Sequence, residues 1–281
     1  MTVDVVLAAG ARLAEGPVWD ARTNRLLWVD ILLGRVHRFD PVTGTDEFFE
    51  AGEDVGTVAV RRGGGLVLAT RTGMVTCADD GSDRTVLHRL HTEPDGRSND
   101  GKADPWGRFW AGTMVEGPGT GGALYRLDQD GSLHTVVTGV GCSNGLGWSP
   151  DGRTMYYIDT PTLGLDAFDH DPETGAISGR RRLATIDRGM PDGLTVDADG
   201  CVWVALWDGW GLHRYSPSGS LLSTVDVPAQ RVTSCAFGGT DLSTLYITSA
   251  REGLSPPSEH AGSLFALDPG VTGLPAGEWA G

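Results

Sequence analysis

Apolar runs in this chain are short and regularly interrupted. Stretches such as RLLWVD, GLVLAT, TMYYIDT, CVWVALW and TLYITSA are rich in Val, Ile, Leu, Trp and Tyr, and Gly, Asp, Asn or Pro punctuate the sequence around them. Brief β-branched and aromatic runs between turn residues predict strands. No segment keeps a 3.6-residue apolar period over three turns, so helices are minor at best. A common grammar recurs. An apolar strand follows a small or polar residue, as in GLGWS or GLTVD; a turn such as PDG or ADG leads to a strongly β-prone second strand. A third strand follows, as in GLDAFDHD or GLHRYSP, and ends in another turn.

Aligning the units on the start of their first strands gives one slot through Glu15, Gly56, Asn99 with Asp100, Asn144, Asp192 and Ser234. Successive slots lie roughly 41 to 48 residues apart, the period of propeller blades made of four short strands. Six units fill residues 1–281 and leave no room for a second domain, so the expected fold is a single all-β, six-bladed β-propeller. The N-terminal VDVVLAAG precedes the first unit and is placed to supply the outer strand of the last blade. That closure removes exposed sheet edges.

Composition narrows the function. Among 281 residues there are 42 Gly and nine Trp, with no G-X-Y period, consistent with many tight turns and not with collagen. The formal net charge is −15 and the isoelectric point about 4.7. Nucleic acid and anionic membranes are therefore poor partners, while neutral or cationic ligands and metal cations remain. Four cysteines (Cys77, Cys142, Cys201, Cys235) lie far apart without a C-x-x-C, and are expected as buried thiols. The N-terminus lacks a basic leader, and no apolar run is long enough for a bilayer. A soluble, cytoplasmic protein is expected, of undetermined oligomeric state.

Residues 141–145 read GCSNG, which matches the G-x-S-x-G nucleophile elbow of serine esterases. That elbow needs a strand, a sharp turn and a helix, whereas LGWSPDGRTMYYIDT continues as strand, turn, strand. No Asp and His fall where the repeat would bring them to Ser143. The slot carries more. First strands line a propeller's central channel, so their starting residues converge on one mouth. Glu15, Asn144 and Asp192 each precede a Gly, which lets backbone approach closely at the axis. Two carboxylates and an amide oxygen suit a hard divalent cation, Ca²⁺, Mg²⁺ or Mn²⁺, with Zn²⁺ possible. None of the seven His (37, 88, 91, 134, 170, 213, 260) falls in the slot. Asn-Gly and Asp-Gly are also ordinary turn dipeptides; the joint placement of three oxygen donors around one axis favours the metal.

Taken in order, EGPVW, RSNDGKADPWGRFWAGTM, SNGLGWSPDGRTMYYIDT, PDGLTVDADGCVWVA and TSCAFGGTDLSTLYITSAR resemble the SMP-30/gluconolactonase/regucalcin family of metal-dependent sugar lactonases. The resemblance runs over essentially the whole chain. It implies a six-bladed propeller, metal ligands at Glu15, Asn144 and Asp192, substrate contacts at Arg97 and Asn99, and Asp192 as acid/base. The implied reaction is hydrolysis of an aldonolactone such as gluconolactone by a metal-activated water. One departure stands out. In GTMVEGPG, Glu116 is kept but Gly117 occupies the place of an acidic substrate contact in animal members, so the animal-type sugar preference is not implied. Two other readings compete with the lactonase: a non-catalytic calcium-binding or scaffold propeller, and a related propeller hydrolase of aryl esters or organophosphates.

Overall fold

The computed structural model describes residues 2–90, 96–117 and 119–281; His91 lies outside them. Strand β1 (Asp4–Leu7) comes first in the chain. Blade I follows as β2 (Ala14–Asp20), β3 (Arg25–Asp30), β4 (Arg35–Phe39) and β5 (Asp46–Glu50), and blade II as β6 (Val55–Val60), β7 (Leu66–Thr70), β8 (Gly73–Cys77) and β9 (Thr85–Arg89). Blade III holds β10 (Gly96–Ala103), β11 (Phe109–Val115), β12 (Gly122–Leu127) and β13 (Leu133–Val140). Blade IV holds β14 (Ser143–Trp148), β15 (Thr154–Asp159), β16 (Gly164–His170) and β17 (Ile177–Thr185). Blade V holds β18 (Met190–Val196), β19 (Val202–Trp207), β20 (Gly211–Tyr215) and β21 (Leu221–Asp226).

Blade VI consists of β22 (Arg231–Gly238), β23 (Thr244–Ala250) and β24 (Leu264–Leu267), with β1 paired to β24 as its outermost strand. The N-terminus thus closes the ring as expected. Inner strands of neighbouring blades pack side by side around the axis, and β22 returns to β2. Among the described residues, helix is limited to two 3₁₀ turns, Ile31–Leu33 and Thr160–Thr162. Among the described residues no helix is long and apolar enough to cross a membrane.

Burial follows strand position. The inner strand β2 is buried along its whole length, whereas the outer strands β5 and β17 are largely exposed. Outer edges carry charge, as in β17, where Arg180 and Arg182 both pair with Asp166 on β16; charged edges resist pairing with other chains. Turn carboxylates tie inner hairpins to the core. Asp104 accepts from Trp110 Nε1 and Asp197 from Trp203 Nε1, each at 3.0 Å and six residues apart. These two buried contacts are equivalent positions of the repeat, which explains why D-x₅-W recurs in blades III and V.

One feature had no signal in the repeat. The residues after β24 cross the face of the ring opposite the slot. Ala198 N donates to Thr272 O, Trp279 N to Val60 O and Ala280 N to Gly107 O. This strap joins blades V, II and III and lies beside a pocket lined by Lys102, Thr195, Leu274 and Pro275.

Candidate functional site

Every inner strand carries a β-bulge at the slot. The ladder skips between Glu15 and Val18, between Val55 and Thr57, and between Ser98 and Gly101. It skips again between Ser143 and Leu146, between Pro191 and Leu194, and between Val232 and Ser234. A bulge leaves residues unpaired, bends the strand and re-aims a side chain. Asn99 and Asp100, Asn144, and Asp192 all occupy these unpaired positions, while Glu15 is the last paired residue before its bulge. The glycines that follow allow the close approach. A Cβ on Gly145 would lie 2.6 Å from Leu194 N, and one on Gly193 would lie 2.1 Å from Ser234 Oγ.

These side chains meet in a pocket of about 170 Å³ at one channel mouth. Glu15, Asn144, Asp192, Arg97 and Asn99 all line it, so all five expected site residues are brought together. Each is buried. Burial pushes the Glu15 carboxyl well above the usual range, and the charges of Asp192 and Asp100 push it further. Asp192 is raised in the same way, by burial first and by Asp100 second, with Asn144 and Arg97 opposing. Two buried carboxylates facing each other destabilise their ionised forms unless a cation joins them.

Asn144 indicates where a cation fits. Its Nδ2 donates to Thr160 Oγ1 at 3.0 Å, and Thr160 Oγ1 donates to Pro191 O at 2.9 Å. Its Oδ1 is buried and has no hydrogen-bond partner among the described residues. An ordinary turn role is therefore excluded for this residue, because its amide does not bond its own backbone. An unpartnered buried acceptor is costly, and here it belongs to the same pocket as two buried carboxylates. This donor set fits a hard cation. Among the described residues no group of three or more His, Cys, Asp or Glu is arranged for a metal; the set is mixed, two carboxylates and one amide.

Arg97 is not a blade-surface ion-pair residue. It is buried, and its Nη1 donates to Ser98 O at 3.0 Å and to Asn99 Oδ1 at 2.6 Å. Asn99 Nδ2 in turn donates to Ser143 O at 2.9 Å. Asn99 Oδ1 thus holds Arg97 while its Nδ2 holds Ser143 O, and Arg97 is the cationic side chain among the described lining residues. Glu116 is exposed on the β11–β12 loop and Gly117 beside it has a φ of 89°; neither lines the pocket.

Ser143 is fully buried and its Oγ accepts from Tyr157 OH at 2.8 Å. No histidine is among the described lining residues, so the elbow pattern has no catalytic partner. All four cysteines are free. Three are buried; Cys142 lines the pocket, with its thiol pushed up to about 12 by burial, which makes it a poor nucleophile. Sequence reasoning missed Thr160, which orients Asn144, and the apolar walls formed by Leu13, Met114, Met190 and Trp207. It also missed Lys102, whose Nζ crosses from blade III to donate to Leu194 O in blade V at 2.8 Å.

The SMP-30/gluconolactonase/LRE-like region model matches residues 13–251. The chain is 42% identical to pentonolactonase XacC of Haloferax volcanii, over 98% of this chain and 97% of that protein. It is 38% identical to 6-deoxy-6-sulfogluconolactonase of Pseudomonas putida over 100% and 99% of the two chains. The crystal structure of a calcium-binding protein, regucalcin, from Agrobacterium tumefaciens superposes with a TM-score of 0.93 at 27% identity, covering 98% of this chain and 96% of that one. With the fold, the pocket and full-length similarity in agreement, the chain belongs to the SMP-30/gluconolactonase/LRE-like family.

Proposed function

We propose that this protein is a divalent-cation-dependent sugar lactonase that opens an aldonolactone to the aldonic acid. The observation that carries this reading is the unpartnered Oδ1 of Asn144 in one buried pocket with Glu15 and Asp192, beneath walls that accept a small ring. Relatives named pentonolactonase and 6-deoxy-6-sulfogluconolactonase support a sugar lactone as the substrate.

Glu15, Asn144 and Asp192 would hold the cation, leaving coordination positions for water and substrate. When bound, the cation supplies Lewis-acid polarisation of the lactone carbonyl and acidification of water. Asp192 accepts the proton of the attacking water on a carboxylate oxygen as the new C–O bond forms. It returns that proton to the ring oxygen as the old C–O bond breaks, so the carboxylate is regenerated. Arg97 presents guanidinium donors to the carbonyl or ring hydroxyls, and Asn99 keeps it oriented. The apolar walls limit bulk water around the ester.

The test is a substrate panel on protein stripped by chelation and reloaded separately with Ca²⁺, Mg²⁺, Mn²⁺ or Zn²⁺. Aldonolactones should be hydrolysed above their spontaneous rate only after reloading. Turnover of aryl esters or phosphotriesters with no lactone hydrolysis would overturn the reading, as would cation binding without any turnover.

A further inference from the structure

Trp207 is the last residue of β19, and its indole forms one wall of the pocket. The Arg231 guanidinium sits over the Trp207 ring with Cζ 4.4 Å from the centroid. Arg231 is not among the described residues that line the pocket; it packs on the ring itself. Arg231 is fixed in turn. Its Nε donates to Asp208 Oδ1 at 2.8 Å, and Nη1 donates to Glu252 O. Gln230 Nε2 donates to the same Asp208 oxygen at 2.9 Å.

The loop that presents Trp207 is backbone-strained. Asp208 and Trp210 both have a φ of 57° without being glycine. A bulky residue in the left-handed region is a genuine outlier, and such strain persists where the surroundings over-determine the conformation, often at binding sites. Here the Asp208–Arg231 ion pair between blades V and VI supplies that constraint. The same pocket also carries a polar set, Arg97 and the carboxylates of Glu15 and Asp192. A sugar lactone has the matching mixed character: hydroxyls and carbonyl project outward, while ring C–H groups form an apolar face.

We infer that Trp207 is the specificity platform of the site, an indole backed by Arg231 and Asp208 against which the C–H face of an aldonolactone ring stacks. The inference rests on the sugar-lactone reading for its ligand class. Trp207 touches the substrate; Arg231 and Asp208 are positioning residues that act through it. The ring, and not a set of hydroxyl-specific hydrogen bonds, then does most of the selection on this wall.

The experiment compares wild type with Trp207→Ala, Trp207→Phe and Arg231→Met. Kinetics on glucono-δ-lactone are paired with calorimetric binding of the non-hydrolysable glucono-δ-lactam and of the cation. Trp207→Ala should raise KM and weaken lactam binding by about fivefold to tenfold. Its kcat and cation affinity should stay within about threefold of wild type, and Trp207→Phe should restore most of the binding. Arg231→Met should shift KM in the same direction by less. Lactam binding unchanged in folded Trp207→Ala would overturn the inference, as would failure of wild type to bind the lactam. If wild type binds lactam through Trp207 yet hydrolyses no lactone, the platform stands and the lactonase reading falls.

Discussion

Thr160 Oγ1 accepts a hydrogen bond from Asn144 Nδ2 at 3.0 Å and donates one to Pro191 O at 2.9 Å. One hydroxyl thus fixes which way the Asn144 amide faces, and it borrows the backbone next to Asp192 to do so. Partners of this kind commonly govern metal affinity by tenfold to a hundredfold. Thr160→Val should weaken cation binding by about tenfold, and Thr160→Ser should restore it. Calorimetric titration of the chelator-stripped protein checks this, and equal affinity in all three proteins would refute it.

Asp192→Asn should separate stability from function. The buried Asp192 carboxyl is raised well above its ordinary 3.8 in the fold. A raised carboxyl costs stability fully above its folded value, and the cost disappears below its unfolded value. Cation-free wild type should therefore gain thermal stability as pH falls from neutral toward that unfolded value. Glu15 adds to this, being raised for the same reason. Asp192→Asn should melt about 2–4 °C higher than cation-free wild type for each kcal/mol of relieved charge cost, while losing cation binding and activity. A lower melting temperature in a folded variant would count against the charge argument.

The same carboxylates make cation binding pH-dependent. Both must be ionised to act as ligands, so binding releases the protons they hold. Affinity should fall as pH drops through their raised range, and the measured enthalpy should change with the ionisation heat of the buffer. Identical apparent enthalpy in phosphate and Tris at a pH where the site is protonated would contradict this.

Ser143→Ala tests the motif that the fold rejects. The variant loses the Tyr157 OH contact of 2.8 Å, a cost of about 1 kcal/mol. Its activity should remain within about threefold of wild type, because no general base faces that hydroxyl. Loss of activity beyond about a hundredfold with the cation still bound would reinstate a serine nucleophile.

Gly145 tests whether blade contact sets the site. A Cβ there would lie 2.6 Å from Leu194 N and 2.8 Å from Asp192 O, both backbone atoms. Gly145→Ala should cost about 1–3 kcal/mol in stability and weaken the cation, since it separates Asn144 from Asp192. Gly147→Ala meets only the Leu194 and Val196 side chains, at 3.0 and 3.1 Å, and should be milder. Equal melting temperatures for the two variants would show that the blades yield freely.

The fold was legible because it is periodic, and so was the convergence of Glu15, Asn144 and Asp192 on one pocket. Alternating turn chemistry and β-prone runs recur at blade length, so counting units gave six blades, and the slot gave Glu15, Asn144 and Asp192. The elbow pattern at Ser143 could be set aside for the same reason, since a strand and not a helix follows it. Free, separated cysteines were also readable from spacing.

What the repeat could not carry were contacts between blades and departures from regular pairing. Every inner strand bulges at the slot, and a bulge depends on hydrogen bonds to the neighbouring strand. Asn99 lines the pocket as expected of a substrate contact, and within the fold its amide also donates to Ser143 O and accepts from Arg97, which spacing could not show. Thr160 and Trp207 lie outside the slot and line the pocket, and Arg231 meets the Trp207 ring, only once blades IV, V and VI are side by side. The strap from Thr272 to Ala280 has no counterpart in any unit, and its partners are set by distant backbone groups. Local sequence therefore determined the blades and the residues aimed at the axis. Tertiary packing decided which of their atoms remain free for chemistry, because hydrogen-bond satisfaction in a buried site depends on neighbours far away in sequence.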